Sequence, residues 1–381
     1  MNDPVWDYVI VGGGLYGLSV AYALAQLAPG VRICLLDQFP DGHENGSSHG
    51  ITRVTRTTYD SPPFVELARR AHRIDWPELE RAAGEPLIVQ TGGLFSGEPG
   101  GGWDDFERTM AGHPEVERLP RAELRSRFPL FRDRGESPLF DSTAGVIRAR
   151  RTLDVLRLLC DRHEIDRFAP ERVLSIDPGG ASLRVRTERR TLVTGRIVIA
   201  TGAWTTKLLP ELGERLRVVR QTVLFLALEG PPGEAEVPAF PVWVHVGRDP
   251  REFFYGIGAL SPDRGIKIAR HDTVGEGVDP DLSDEPDPAE VEAVLDFAAA
   301  HFARPVSRIE RVDRCLYTMT EDEYFLVGPH PGESRITLAT GFSGHGFKFA
   351  PLIGRVAAEI AWSGETSVPE FRRHAARFLP R

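Results

Sequence analysis

The stretch "DYVIVGGGLYGLSVAYALAQLAPGVRICLLD", residues 7–37, decides the fold. It reads as an apolar strand, a glycine turn at Gly12, Gly14 and Gly17, a helix with apolar residues at helical spacing, and a second apolar strand ending at Asp37. That order is a βαβ unit. Gly12 permits the tight turn, Gly14 lets a pyrophosphate approach the backbone, and Gly17 lets helix and strand pack closely. Unpaired N–H groups at the start of the helix then face the phosphates. Asp37 is placed to accept hydrogen bonds from a ribose, and its charge would repel a 2′-phosphate. An adenine dinucleotide is the expected ligand. The alternative, a glycine turn in an ordinary α/β fold, leaves Asp37 and Gly17 unexplained.

Outward from this unit, "GRIVIATGAW" (195–204) and "SRITLATGFSGHGF" (334–347) are two further apolar strands that end in Ala-Thr-Gly. Ligands sit at strand ends of this kind in doubly wound sheets. Because the three elements span the chain, the dinucleotide domain is expected to be discontinuous, built from 1–82, 144–220 and 320–381. Between them lie "QTVLFLALEG", "REFFYGIGAL" and "GIKIARH", and the helix "DPAEVEAVLDFAAAHF" with Asp287 as N-cap and Pro288 at its first position. These suit a mainly antiparallel sheet backed by helices, a substrate domain of 83–143 and 221–319. The fold class is therefore α/β, Rossmann-like, with a second domain. "GEPGGGWDD" (97–105) and "PPGEAEVPA" (231–239) read as surface loops.

A chain of 381 residues with 41% hydrophobic content supports a substantial core. Lysine and arginine total 46 against 55 acids, a formal charge of −9, so nucleic acid gains no general attraction and small molecules are the expected partners. The opening residues lack a basic region, apolar run and small-residue cleavage site, and no apolar run is long enough to span a bilayer. A cytoplasmic, monomeric protein without membrane attachment is expected. Of the three cysteines, Cys34 and Cys160 sit in apolar strand and helix patterns and are explained by packing. Cys315 has no partner for a local disulfide or a Cys-x-x-Cys pair.

Two segments concentrate chemistry. "NGSSHGITRVTRTTY" (45–59) offers Ser47, Ser48 and Thr52 as donors to phosphate oxygens and glycines for close backbone approach, with Arg53 and Arg56 on nearby faces of a turn. "GFSGHGFKFAP" (341–351) is a glycine-rich turn entering a helix, whose N–H groups suit the electron-rich edge of a reduced flavin. Lys348 lies there among Phe347, Phe349 and Ala350, where an ammonium needs an anionic partner or a surface. Lys267 is flanked by Ile266 and Ile268, and spacing alone leaves open whether it points to solvent.

The βαβ opening, "GSSHGITRVTR" (46–56), "YGIG" with "GIKIARH", "RCLYTMTEDEYF" (314–325) and "GFSGHGFKF" (341–349) together resemble the monomeric sarcosine oxidase and N-methyltryptophan oxidase family, within the D-amino-acid oxidase-like flavoproteins. The likeness runs nearly end to end. It implies FAD, attached through the Cys315 thiol to the flavin 8α-methyl group. It further implies that Lys267 promotes O₂ reduction, that Arg56 and Lys348 clamp a substrate carboxylate, and that Tyr255, Tyr317 and His271 line the substrate cavity. Gly12, Gly14, Gly17, Asp37, Gln38, Ser47, Ser48, His49, Thr52, Arg53, Thr201, Gly202, Trp204, Gly344, Gly346, Phe347 and Lys348 are the implied cofactor contacts, and no metal is expected. The implied reaction is oxidation of a secondary or cyclic amino acid to an imine, with O₂ reduced to H₂O₂. A dehydrogenase using another acceptor is the main alternative, and a nicotinamide-dependent reductase a remote one. Two departures from the family pattern bear on substrate: Ser48 stands where sarcosine oxidases have histidine, and 256–266, "GIGALSPDRGI", lacks a Phe-Pro step and runs about one residue longer.

Overall fold

The computed structural model describes residues 5–135, 137–249, 252–261, 265–282 and 285–380. Residues 262–264, inside the departing loop 256–266, and residues 1–4 of the opening lie outside these. The βαβ unit forms as the sequence predicts: β1 (Val5–Val11), α1 (Leu15–Leu27) and β2 (Ile33–Leu36). β1 pairs in parallel with β2 and with the strand Thr191–Ile199, which in turn pairs in parallel with Glu333–Thr340. Register brings Val11 level with Leu36 and Ile199, and Ile199 level with Leu338. Gly12, Asp37, Thr201 and the 341–347 turn therefore leave the sheet at one edge, the ligand-binding end of a doubly wound sheet. Helices α1, Ala149–Arg162 and Ala350–Ser363 cover one face through Leu18, Ala21, Leu156, Ile353 and Val356.

A second eight-stranded sheet runs in the order Val306–Met319, Arg217–Leu228, Ile266–Arg270, Phe253–Ile257, Val242–Val246, Gly93–Gly97, Leu139–Asp141, Val116–Arg118. It is antiparallel except where Val242–Val246 meets Gly93–Gly97. The helix Pro288–His301 backs it, with the Asp287 carboxylate accepting from Ala289 N at 2.9 Å as the expected N-cap. Val294, Phe297 and Ala298 of that helix pack on Leu224, Trp243, Phe254, Ile266 and Ile268. Alternation along the strand sends Lys267 and Ala269 to the opposite face. That face looks toward the first sheet.

Two expectations are corrected. The segment holding Arg53 and Arg56 is not a turn: Thr52–Thr55 form a strand, β3, paired with Gly145–Arg148. The β-branched Thr52, Val54 and Thr55 suit a pleated strand once this distant partner is present. The expected surface loop 97–105 contains the start of the helix Gly102–Ala111. Trp103 is buried there because Gly97 leaves room for its ring; a Cβ on Gly97 would lie 2.6 Å from the indole. Among the described residues, no helix is long and apolar enough to cross a membrane.

Candidate active site

A cavity of about 200 Å³ opens at the strand ends of the first sheet, and one of about 240 Å³ opens where the two sheets meet. Gly14, Ser47, Ser48, His49, Ala200 and Gly202 line both, so they form one continuous crevice.

The first cavity lies over the glycine turn. Gly12 has φ +105°, and a Cβ there would stand 2.3 Å from the Ala200 carbonyl oxygen. A Cβ on Gly17 would stand 1.7 Å from the Gly12 carbonyl oxygen, so no side chain fits between α1 and the turn. Asp37 accepts from Gly13 N at 2.6 Å and Phe39 N at 2.8 Å, and burial raises its pKa. The Ser48 hydroxyl accepts from Leu15 N at 3.0 Å, occupying the first turn of α1. Trp204 closes the far wall, edge-on to Phe39, with its indole N–H donated to Asp281 at 2.7 Å.

The second cavity collects cations. Arg53 braces the 47–49 loop, donating to Ser47 O at 2.9 Å and to His49 O, and its guanidinium lies 5.3 Å from the centre of the Phe347 ring. Arg56 donates to Thr58 O and lies 4.5 Å over Tyr59. Lys348, 7% exposed, stands 5.4 Å from the same ring and donates to His345 O at 2.8 Å. Lys348 is not at the surface, and no carboxylate among the described residues pairs with it. Burial, followed by the Arg56 charge, holds its pKa well below the ordinary lysine value. Burial and the neighbouring Arg53 charge push Lys267, also 7% exposed, down to about 7. Its ammonium lies 5.9 Å from the Tyr255 ring.

Asp313 brings one carboxylate to the remaining wall, on the Lys267 side, and the histidines there are neutral. Burial and the Lys348 and Arg56 charges push His271 down to about 4, and burial with Arg53 does the same to His49. His271 faces the rings of Phe253, Tyr317 and Tyr255 at 5.3, 5.5 and 6.2 Å. The two tyrosine hydroxyls lie 3.5 Å apart. Cys315 comes from the strand Val306–Met319, half-buried on the cavity wall, its sulfur 3.9 Å from Ser47 O. Cys34 and Cys160 are buried in the two cores, as packing predicts, their thiols pushed up to about 12.

Residues 7–360 match the family model described as FAD dependent oxidoreductase. The chain belongs to this family. It is 32% identical over 365 residues to the peroxisomal sarcosine oxidase of Mus musculus, covering 93% of this chain and 92% of that one. It is 30% identical over 383 residues to the monomeric sarcosine oxidase of Streptomyces avermitilis, covering 96% of each. Among solved structures, the open form of NikD, described as an unusual amino acid oxidase essential for nikkomycin biosynthesis, superposes with a TM-score of 0.86 at 24% identity, covering 99% of this chain and 98% of that one.

The protein is thus an FAD-dependent oxidoreductase, and the crevice fits a flavin dinucleotide: side-chain-free glycines at one end and buried cations with uncharged aromatics at the other. Of the residues singled out in the sequence, Gly12, Asp37, Gln38, Thr201 and Trp204 line the first cavity. Arg53, Arg56, Tyr255, Lys267, His271, Cys315, Tyr317, Gly344, Gly346, Phe347 and Lys348 line the second. Gly14, Ser47, Ser48, His49 and Gly202 line both. Gly17 and Thr52 line neither: Gly17 packs helix on turn, and Thr52 is 2% exposed in β3. Sequence reasoning missed Tyr16, whose hydroxyl donates to Gly346 O at 2.8 Å and whose ring stacks on Phe342. It also missed Tyr59, the ring shared by Arg56 and Lys348. Tyr16 occupies an unrestricted position of the glycine motif and carries no local signal; Tyr59 ends the segment 45–59 and gains meaning only beside Lys348.

Proposed function

We propose that the protein oxidises the C–N bond of a secondary or cyclic α-amino acid, N-methylated or imino, in the cavity where Arg56, Lys267 and Lys348 meet, with O₂ as acceptor. The observation that carries this reading is the convergence of Arg56 and the Lys348 amine over Tyr59, with no carboxylate among the described residues pairing with Lys348. Like charges in a desolvated site are costly unless an anion joins them. The substrate carboxylate is that anion, and Arg56 and Lys348 hold it.

FAD, when bound, supplies the two-electron chemistry, so that amine and O₂ become imine and H₂O₂. The chain's own residues bind, orient and exclude water. Tyr255, Tyr317 and neutral His271 wall the amine without adding charge, which favours the uncharged, oxidisable form of the nitrogen. Lys267 places a cation in a dry site, where it stabilises negative charge developing on oxygen. Cys315 is the cysteine on the cavity wall, which supports its role as the thioether link to the flavin. We read 1–82, 144–220 and 320–381 as the FAD-binding unit and 83–143 with 221–319 as the substrate unit, because the two large sheets draw their strands from these segments almost without mixing. A monomer in a reducing cytoplasm accords with three free thiols.

The test is peroxide release from sarcosine, N-methyltryptophan, pipecolate and proline, with N-methylamines that lack a carboxylate as controls. Peroxide from at least one amino acid and none from the controls is expected. Equal oxidation of the controls overturns the carboxylate clamp; substrate reduction of the flavin without reoxidation in air overturns the oxidase reading in favour of a dehydrogenase.

A further inference from the structure

Behind the cavity, the helical layer contains one turn of π-helix, and it touches the anchor of each clamp cation. Helix α2 (Pro62–Arg70) runs through the π turn Ala71–Asp75 into α3 (Trp76–Ala83). A π turn adds one residue to the helix and so rotates everything after it by about 100° relative to an unbroken α-helix. His72, within the turn, hydrogen-bonds through Nε2 to the hydroxyl of Thr55, a fully enclosed residue next to Arg56. Trp76, just after it and fully buried, donates its indole N–H to the Lys348 carbonyl at 2.7 Å. Lys348 is then held twice, by this bond to its backbone and by its own ammonium bond to His345 O.

From the other side an ion cluster ties the turn down. The Asp75 carboxylate, enclosed from solvent, lies 3.5 Å from Arg70 Nε and 3.7 Å from Arg355 Nε. Arg355 belongs to the helix Ala350–Ser363, which continues directly out of the Lys348 turn. Arg70 also reaches Glu370 at 3.1 Å. The extra residue is thus fixed between the clamp and the helix behind it. Without the insertion the Trp76 indole would point about a quarter-turn away from Lys348.

We propose that this π turn is the positioning device of the carboxylate clamp, Trp76 being the positioning residue for Lys348 and His72 the positioning residue for Arg56; the inference rests on the reading of those two cations as the clamp. Two like charges that must converge on one carboxylate drift apart unless their backbones are held. Misplacement by about 1 Å is enough to cost up to about 10²-fold in an oriented reaction.

The test uses Trp76→Phe, which keeps an aromatic ring and removes the N–H, in flavin-loaded enzyme. KM for the amino-acid substrate should rise about ten-fold with kcat changed less than about two-fold, one lost hydrogen bond to a backbone acceptor setting the scale. The dissociation constant of benzoate, read from the flavin spectrum, should rise by the same factor. In a Lys348→Met background, Trp76→Phe should add nothing further. If Lys348→Met itself leaves benzoate binding unchanged, the clamp reading falls and this inference with it. If Lys348→Met weakens benzoate while Trp76→Phe lowers only the melting temperature, the clamp stands and the positioning role is overturned. A full additional loss in the double variant also overturns it. Should Trp76→Phe fail to fold, His72→Gln decides by the same measurements: a KM rise supports the device, and unchanged KM and benzoate affinity refute it.

Discussion

Carboxylate binding should be coupled to proton uptake, and Lys348 is the group that takes the proton. In the free site, burial and then the Arg56 charge hold the Lys348 pKa well below the ordinary lysine value. A carboxylate beside the ammonium favours the charged form and raises that pKa again. Between the free-site and bound-site values, each ligand that binds brings one proton with it. The sign follows: affinity is greatest below the free-site pKa and falls as pH rises through the window, by up to ten-fold, or about 1.4 kcal/mol, per pH unit. Calorimetric titration with benzoate in two buffers of different ionisation enthalpy, repeated at intervals from about pH 6 to 10, locates the window and counts the protons. Wild-type protein should take up protons inside that window, and Lys348→Met close to none. His49 and His271, at about 4, stay neutral across this range. Lys267, at about 7, is already neutral at the upper end, so Lys267→Met should leave uptake at about pH 9 unchanged. Removing the second cause with Arg56→Ala should raise the free-site pKa of Lys348 and so reduce the uptake, while weakening benzoate through loss of the other cation, on the order of 2 to 5 kcal/mol. Benzoate affinity that is flat from about pH 6.5 to 9.5, in a protein where Lys348→Met still weakens binding, would show that the lysine is charged before the ligand arrives and refute the reasoning.

Acid precipitation of wild-type protein should leave yellow colour in the pellet, and Cys315→Ala should release it to the supernatant; colour wholly in the wild-type supernatant rules out the thioether. Lys267→Met should slow flavin reoxidation by O₂ about 10² to 10³-fold in stopped flow with much less effect on reduction by substrate. Because the Lys267 pKa is depressed to about 7, its cation is present below that pH and lost above it, so wild-type reoxidation should fall as pH rises through about 7 while the variant stays flat. Gly17→Ala sets a Cβ 1.7 Å from the Gly12 carbonyl oxygen, so it should abolish flavin incorporation or yield insoluble protein; a normal flavin-to-protein absorbance ratio contradicts that packing.

How legible each part was depends on how local its cause is. The glycine turn, Asp37 and the Asp287 cap were readable because backbone sterics and capping act within a few residues. β3 was not, because the partner that makes Thr52–Thr55 a strand lies about ninety positions on, at Gly145–Arg148. Nor was Trp103, whose burial depends on the space left by Gly97. Trp76 looks like any core aromatic until Lys348, 272 positions away, supplies the carbonyl it bonds. Lys267 shows the difference most directly. Its flanking isoleucines marked it as a strand residue, and spacing alone left open whether its side chain faced water. Those same residues, Ile266 and Ile268, are claimed by the helix Pro288–His301, so period-two alternation leaves Lys267 no choice of face. Whether that face is solvent or a closed cavity is set by elements that share no sequence with it: Phe225 of the adjoining strand on one side, Tyr255 of the adjoining strand on the other, and Cys315 of the strand beyond Phe225 line the same hollow. Parity was therefore written in the strand itself, while the lowered pKa, and with it the suitability of Lys267 for chemistry near neutral pH, had to wait for the second sheet to close over the first.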